Sequence, residues 1–306
     1  METFDRFLEE TAARIGAEAD GWAAAARGLV ERLAERWELE LATEELPEEP
    51  TGSAFAVPGV RGGADPVLLR IVYPDAWFEE ETAALVHWDG NGTVSLIDHD
   101  PAGAQLLERP EPGTRLAEEE EEDVALGRAA EVAGRLWIAD PGGIATLASE
   151  VLEWGRTMPG RHHLVGRPFE RTLVHEAVES IRELVPTQPE HVLLHGDLRL
   201  GTILAARGGI WLATEPKPLV GERAFDVVSL LREDPEALTD DRTAGLERLQ
   251  QRFDLLSERL GLNRKRVQRW AVAASVDDAL WAFEGGDPAG GERKIDVVRM
   301  LRDLRV

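Results

Sequence analysis

The chain has 306 residues, of which 43% are hydrophobic and 30% are charged, and it contains no cysteine. This length suits one large domain or two lobes with a real core, and the lack of cysteine excludes disulfides and cysteine-based metal or redox sites. The formal net charge of −24 argues against nucleic acids and anionic membranes as partners. It permits a cationic small molecule as substrate, although an acidic surface also serves solubility alone.

The N-terminal stretch METFDRFLEETAARIG is acidic and amphipathic, and it lacks the basic start and apolar stretch of a signal peptide. The sequence has no run of eighteen apolar residues that would predict a membrane span. A cytoplasmic location is therefore expected, with no membrane partner. The oligomeric state does not follow from the sequence.

The first third of the chain predicts helices and a small sheet. Apolar spacings of three and four over residues 3–36 predict two helices. Alternation and turn residues predict strands at 38–46, SAFAVPGV and PVLLRIVYP, then a helix over 77–88, then a hairpin made of TVSLIDHD and AQLLERP. Together these elements indicate a small antiparallel sheet that is interrupted by one helix.

The remainder of the chain is predicted to be mostly helical, with helices over 122–138, 143–157 and 168–185 and further helices after residue 222. A strand–loop–strand segment lies between these helical regions. The change in character places a domain boundary near residue 110. We therefore expect an α+β protein with a β-rich lobe over 1–110 and a helical lobe over 111–306.

Two acids follow the strands of the strand–loop–strand segment. Asp197 follows a hydrophobic run in HVLLHGDLRLGTIL, and Glu215 follows a second short strand in WLATEPKP. Phosphoryl-transfer sites use such acids to accept a hydroxyl proton and to hold a metal ion. His195 and Gly196 shape the turn before Asp197. An HGD triplet alone fits a structural turn equally well, but the second acid and the later GERAFD segment favour a functional site.

The stretches HGDLRLGTIL, ATEPKPLVGERAFDVVSLL and LLERPEPGTRL resemble the aminoglycoside phosphotransferase family, and within it the aminoglycoside 6-phosphotransferase and hydroxyurea kinase branch. The resemblance covers roughly residues 37–287. It implies a two-lobed, protein-kinase-like fold with a small antiparallel N-lobe and a larger helical C-lobe. It also implies ATP and Mg²⁺ as cofactors, bound between the lobes, and phosphorylation of a hydroxyl on a small, aminoglycoside-like molecule.

The resemblance also assigns roles to residues of the catalytic loop. It makes Asp197, in the loop with His195, the catalytic base. It places Thr202 and Glu215 at the positions that hold Mg²⁺. Asp226 would brace the loop.

Other residues would handle the nucleotide. Arg70 would contact its α- and β-phosphates, with Glu81 as the partner of Arg70 on the following helix. Ser53 and Ala54 lie in TGSAFAV, where the resemblance places the hairpin that covers the phosphates. Glu108 and Arg109 lie in the segment that would offer backbone groups to adenine.

Three positions differ from the family pattern, because Arg70, Thr202 and Glu215 stand where the family has Lys, Asn and Asp. The chain has three lysines and 31 arginines, so a general preference for arginine accounts for the first change. The other two changes leave an alternative open, namely a pseudokinase-like or repurposed kinase-fold protein that binds a ligand without phosphoryl transfer.

Asp277, Asp278 and Glu284 lie in the last helical region, where related enzymes present acids to cationic sugars. They are consistent with a cationic acceptor, although charges on a helix are more often simply solvated.

Overall fold

The computed structural model describes residues 2–43, 54–119 and 121–306. The chain divides into two units, one formed by Met1–Thr114 with Leu204–Thr214 and the other by Arg115–Ile203 with Glu215–Val306. We call them unit 1 and unit 2. The sequence did not indicate that residues 204–214 belong with the N-terminal part of the chain.

The helices in the described ranges are α1 Glu2–Ile15, α2 Ala17–Arg36, α3 Ala76–Trp88, α4 Glu122–Leu136, α5 Leu147–Leu164, α6 Arg171–Leu184, α7 Arg223–Asp226, α8 Val228–Leu231, α9 Pro235–Thr239, α10 Arg242–Leu260, α11 Arg264–Glu284 and α12 Pro288–Arg302. The strands there are β1 Leu39–Leu41, β2 Ala54–Arg61, β3 Asp65–Val72, β4 Leu96–Asp100, β5 Ala104–Glu108, β6 Val192–Leu194, β7 Ile203–Ala206, β8 Ile210–Ala213 and β9 Leu219–Gly221. None of the described helices combines the length and apolarity that a bilayer crossing requires.

Unit 1 contains an antiparallel sheet of five strands in the order β1-β2-β3-β5-β4. Apolar residues of α1 and α2 pack with strand residues such as Phe55, Leu69 and Ile71 in one buried cluster. The predicted leading helices and small antiparallel sheet are therefore confirmed. Asp75 is the N-cap of helix α3, and its side chain stabilises the first turn by accepting a hydrogen bond from the Phe78 amide.

The β7–β8 hairpin of unit 1 is held by the loop before β4. The Ala213 carbonyl accepts hydrogen bonds from the Val94 amide (3.0 Å) and from the Thr93 hydroxyl (2.9 Å), and the Ala213 amide donates to the Gly92 carbonyl (2.9 Å). These contacts join segments more than a hundred residues apart in the chain, so local patterns in the sequence did not predict them.

Unit 2 is mostly helical, as predicted, and contains the antiparallel pair β6–β9. Leu194 at the end of β6 lies opposite Leu219 at the start of β9. The loop that leaves β6 and the loop that enters β9 therefore lie at the same end of this pair. The first loop carries Asp197, and the second loop carries Glu215 and Lys217.

Gly196 allows these two loops to approach closely. Its φ is +77°, in the left-handed region, and a Cβ at this position would lie 1.9 Å from the Lys217 carbonyl oxygen. The Lys217 amide also donates a 2.8 Å hydrogen bond to the His195 carbonyl. Only glycine fits this backbone geometry without displacing the neighbouring loop.

We expect Gly196→Ala to lower the free energy of unfolding by at least about 2 kcal/mol, because the left-handed backbone and the steric overlap both oppose the added methyl group. Urea unfolding followed by tryptophan fluorescence measures this change. Gly201→Ala is the matched control in the same loop, since a Cβ there meets nothing within 4 Å. The control should stay within about 0.5 kcal/mol of the wild type. Equal losses for the two variants would contradict the steric explanation.

Candidate active site

The carboxylate of Asp226 fixes the backbone of the HGD loop. Its Oδ2 accepts hydrogen bonds from the His195 amide (3.1 Å) and from the Trp137 indole Nε1 (2.9 Å), and its Oδ1 accepts one from the Gly196 amide (2.7 Å). Asp226 is 2% exposed. Burial removes the hydrogen bonds that its carboxylate would make with water, and these three bonds take their place. The structure thus shows directly that Asp226 braces the loop.

Asp197 projects from the braced loop and lies against two basic side chains. Lys217 Nζ is 2.9 Å from Oδ2, and Arg199 Nε is 3.1 Å from Oδ1. The Asp197 side chain is 18% exposed, whereas those of Lys217 and Arg199 are 63% and 49% exposed. The carboxylate is thus largely buried, while its two cationic partners reach solvent.

Burial raises the pKa of Asp197, but the hydrogen bond and the charge of Lys217, with the charges of Arg199 and His195, outweigh burial and lower the pKa below its usual value. The carboxylate is therefore ionised at neutral pH, as acceptance of a hydroxyl proton requires.

Thr202, one of the predicted metal ligands, is engaged within the loop. Its hydroxyl accepts a hydrogen bond from the Arg199 amide (3.1 Å) and donates to the Arg199 carbonyl (3.0 Å). Thr202 is 5% exposed. In this arrangement the hydroxyl stabilises the turn after Asp197, and its position as a metal ligand stays a prediction.

Glu215, the other predicted metal ligand, is exposed and has a φ of +57°. A non-glycine residue in the left-handed region is uncommon and marks a backbone held by its surroundings. No group of three or more His, Asp or Glu residues with metal-binding geometry occurs in the described ranges. A carboxylate is nevertheless a ligand type that Mg²⁺ prefers, and Mg²⁺ commonly binds through one or two carboxylates together with substrate phosphates and water.

Within unit 1 the structure brings Arg70 and Glu81 together. Arg70 Nη1 donates hydrogen bonds to Glu81 Oε1 (2.7 Å) and to Gln105 Oε1 (2.9 Å). Gln105 is fully buried and donates from Nε2 to the Thr82 hydroxyl (2.9 Å). Sequence reasoning missed Gln105, although a polar residue inside the apolar run AQLLE was the available signal. The contact between Arg70 and Glu81 is observed, and its role toward a nucleotide stays a prediction.

The remaining residues predicted to bind the nucleotide are placed as follows. Ser53 lies outside the described residues, and Ala54 is the first residue of β2, opposite Val72. Glu108 ends β5, where its carboxylate accepts hydrogen bonds from the amide (3.2 Å) and hydroxyl (3.0 Å) of Ser95. The Arg109 amide donates to the Pro66 carbonyl (3.2 Å). These contacts organise the end of β5, and adenine binding there stays a prediction.

A cleft of about 400 Å³ opens beside Asp197 within unit 2. Its lining includes Lys217 and Arg199 from the two loops, and Ser275 and Lys294 from α11 and α12. Sequence reasoning did not select these four residues. The EPKP stretch that follows Glu215 contains Lys217 and was a usable signal, but the two helical residues lie too far along the chain to be connected with the loop by pattern alone.

The acids that could have faced a cationic sugar lie against arginines. Asp277 is 2.6 Å and Glu284 is 2.9 Å from Arg161, and Asp278 contacts Arg232. Burial raises the pKa of Asp277 despite its contact with Arg161. These pairs connect α11 with α5 and with Arg232, the residue that follows α8, so each of the three acids already has a cationic partner in the protein.

Comparison with known proteins identifies the family. Residues 36–286 match the family described as aminoglycoside/hydroxyurea antibiotic resistance kinase. A streptomycin 6-kinase from Streptomyces glaucescens is 32% identical over 298 residues, which cover 94% of this chain and 93% of that protein. A hydroxyurea phosphotransferase from Kitasatospora aureofaciens is 33% identical over 279 residues, which cover 90% of this chain and 78% of that protein.

The fold is also found in solved structures. A thermostable mutant of an aminoglycoside phosphotransferase, in a ternary complex with AMP-PNP and hygromycin B, aligns with a TM-score of 0.60 and 17% identity, covering 88% of this chain and 96% of that chain. The expected kinase-like fold and the expected class of small-molecule phosphotransferase are both confirmed. The chain belongs to the aminoglycoside/hydroxyurea antibiotic resistance kinase family.

Proposed function

We propose that this protein transfers the γ-phosphoryl group of ATP to a hydroxyl group of a small, antibiotic-like molecule. The observation that carries the proposal is the position of the Asp197 carboxylate, which lies on a braced loop beside Lys217 and Arg199 and lines the cleft of unit 2. The names of the relatives support it, since they include a streptomycin 6-kinase and a hydroxyurea phosphotransferase. The structure of similar fold that contains AMP-PNP supports ATP as the phosphoryl donor.

In the proposed reaction, Asp197 accepts the proton of the acceptor hydroxyl. A bond forms between the acceptor oxygen and the γ-phosphorus of ATP, and the bond from this phosphorus to the bridging oxygen breaks, so that ADP leaves with the electron pair. Most catalysis of this reaction comes from positioning and from neutralisation of charge. Lys217 and Arg199 lie beside Asp197 and supply two positive charges at this point.

Glu215 is the residue that we propose as a ligand of Mg²⁺. Its exposed carboxylate fits an ion that is also held by nucleotide phosphates and water, whereas the Thr202 hydroxyl is already engaged by Arg199. When bound, the ion would neutralise charge on the phosphates. Within unit 1, we propose that Arg70 contacts nucleotide phosphates while Glu81 and Gln105 hold its guanidinium in position.

The expectation of a cationic acceptor rests on the net charge of −24 and on the acids of α11. The net charge would concentrate cations near the protein as a whole. The arginine partners of Asp277, Asp278 and Glu284 weaken the second part of this support. Whether the protein prefers a cationic acceptor therefore depends on the side chains that line the cleft itself.

We expect Asp197→Asn to reduce phosphoryl transfer by about a hundredfold to ten-thousandfold, because the amide cannot accept the hydroxyl proton. A coupled assay of ADP release with streptomycin, hydroxyurea and related hydroxylated amines measures the transfer, and calorimetry with AMP-PNP measures nucleotide binding. Glu153→Gln is the control, since Glu153 is exposed and pairs with Arg156 on the surface of α5. AMP-PNP binding without transfer to any acceptor in the wild type would support the pseudokinase alternative instead.

We expect Lys217→Gln to move the acid limb of the pH–rate profile to higher pH. Lys217 lowers the pKa of Asp197, so its removal lets this pKa rise, and protonation then inactivates the base at a higher pH. Arg199 and His195 also lower the pKa of Asp197, and the acid Glu233 lies nearby. These three residues are the same in the wild type and in the variant, so the difference between the two profiles reports on Lys217.

The measurement is kcat/KM as a function of pH for the wild type, Lys217→Gln and Lys217→Arg. The arginine variant keeps the positive charge and should keep the profile close to that of the wild type. An unchanged acid limb in Lys217→Gln would show that Lys217 does not control the ionisation of Asp197.

A further inference from the structure

The backbone is attached to a carboxylate on each side of Asp197. Before it, Asp226 accepts hydrogen bonds from the two preceding amides of the HGD loop. After it, Glu233 Oε2 accepts a 3.2 Å hydrogen bond from the Leu200 amide. The short stretch that carries the Asp197 side chain therefore lies between two points of attachment, and only the first of them has a role so far.

The Leu200 amide needs an acceptor from outside its own turn. Leu200 begins the 3-10 helix Leu200–Thr202, which follows Arg199. The first amides of a helical turn have no carbonyl partner within that turn. Leu200 is buried, so little water is available to its amide. Glu233 supplies the hydrogen bond that this amide would otherwise lack.

The backbone of Glu233 is itself anchored in the helical core. Arg252 Nη1 donates hydrogen bonds to the Glu233 carbonyl (2.6 Å) and to the Leu231 carbonyl (3.1 Å). The Arg252 side chain is buried, and its Nε donates to Glu122 Oε1 (2.6 Å). One planar guanidinium thus fixes three acceptors in a set geometry. The Glu233 carboxylate therefore reaches Leu200 from a fixed position of the chain.

Both carboxylates come from one short segment. Asp226 ends α7, and Glu233 lies two residues after the end of α8. This segment contacts the backbone before Asp197 and again after it. Arg199 lies between Asp197 and Leu200 and contacts Asp197 Oδ1 (3.1 Å), so the second attachment also fixes a cationic partner of the carboxylate.

The hydrogen bond from Leu200 does not depend on the ionisation of Glu233. Burial raises the pKa of Glu233, and the charge of Asp197 raises it further. The hydrogen bond from Leu200 and the charges of Arg199 and Arg252 lower this pKa, but they do not outweigh burial. A backbone amide needs an acceptor oxygen, and a neutral carboxyl or carboxamide group offers one as well.

We propose that Glu233 is a positioning residue for phosphoryl transfer, which holds the Leu200 amide and thereby fixes the direction of the Asp197 carboxylate. The inference rests on the proposed function, because it takes Asp197 as the base. Glu233 also lines the cleft that contains Asp197. A direct contact between Glu233 and the acceptor is therefore the competing role that the experiment has to separate.

Two substitutions separate the hydrogen bond of Glu233 from its charge. Glu233→Gln keeps an oxygen that accepts the Leu200 amide and removes the charge, whereas Glu233→Ala removes both. We expect kcat to fall about tenfold to a hundredfold in Glu233→Ala, since a misplacement of about 1 Å can cost on the order of a hundredfold in rate. In Glu233→Gln, kcat should stay within about threefold of the wild type, and KM for ATP and for the acceptor should change little in both variants.

The assay of ADP release with streptomycin and with hydroxyurea gives kcat and KM, at a temperature below the melting transition of every variant. Glu236→Ala is the control, because Glu236 lies on the neighbouring helix α9, is exposed and pairs with Arg293 at the surface. It should keep the wild-type kcat.

Hydrogen exchange measured by mass spectrometry gives a second readout that does not require activity. Exchange over residues 198–202 should be faster in Glu233→Ala than in the wild type or Glu233→Gln, because the Leu200 amide loses its acceptor. Exchange over β3 should stay that of the wild type, which separates a local effect from general unfolding.

The positioning role is overturned if Glu233→Ala keeps the wild-type kcat, or if Glu233→Gln loses as much activity as Glu233→Ala, since the charge would then matter instead of the hydrogen bond. It is also overturned if both variants raise KM for the acceptor and leave kcat unchanged, because Glu233 would then bind the acceptor directly. Unchanged exchange over residues 198–202 in Glu233→Ala overturns it whether or not the wild type transfers phosphate. A wild type without transfer overturns the proposed function, so the two failures are distinguished.

Discussion

The HGD loop of unit 2, which carries Asp197, depends on one buried carboxylate. Asp226 accepts hydrogen bonds from two consecutive backbone amides, those of His195 and Gly196, and from the indole of Trp137. These bonds fix the direction in which the chain leaves β6, and so they fix where Asp197 projects. A misplacement of about 1 Å can cost on the order of a hundredfold in rate when catalysis depends on positioning, so the rigid attachment of this loop matters for the proposed role of Asp197.

A second buried carboxylate, four residues earlier in the GERAFD segment, ties the same region to the helical core. Glu222 is fully buried and accepts hydrogen bonds from Arg266 Nε at 3.0 and 2.9 Å. Glu222 precedes the short helix α7 and Asp226 ends it, and they anchor it to α11 and to the HGD loop respectively. Removal of Arg266 would leave the Glu222 charge buried and uncompensated, and removal of the Asp226 carboxylate would leave the amides of His195 and Gly196 without an acceptor.

Local patterns in the sequence predicted much of the fold, whereas the resemblance to the family supplied Arg70, Glu81 and Thr202 as candidate site residues. The alternation around Arg70 and the helix that carries Glu81 placed these residues on neighbouring elements, and the two side chains are in contact. Thr202 lies in the loop after Asp197, and its hydrogen bonds to Arg199 depend on backbone geometry that residue types do not reveal. Ser275 and Lys294 join Asp197 only through the packing of α11 and α12, which no local pattern encodes.

The net charge of the chain and the local charge of the cleft act on a ligand at different distances. The net charge of −24 reflects the whole surface and governs the long-range attraction of ions, which salt screens within about 10 Å. A ligand in the cleft instead meets the groups that line it, where the Asp197 carboxylate already lies against Lys217 and Arg199. The side chains that line the cleft therefore bear more directly on which acceptor is bound there than the net charge of the chain does.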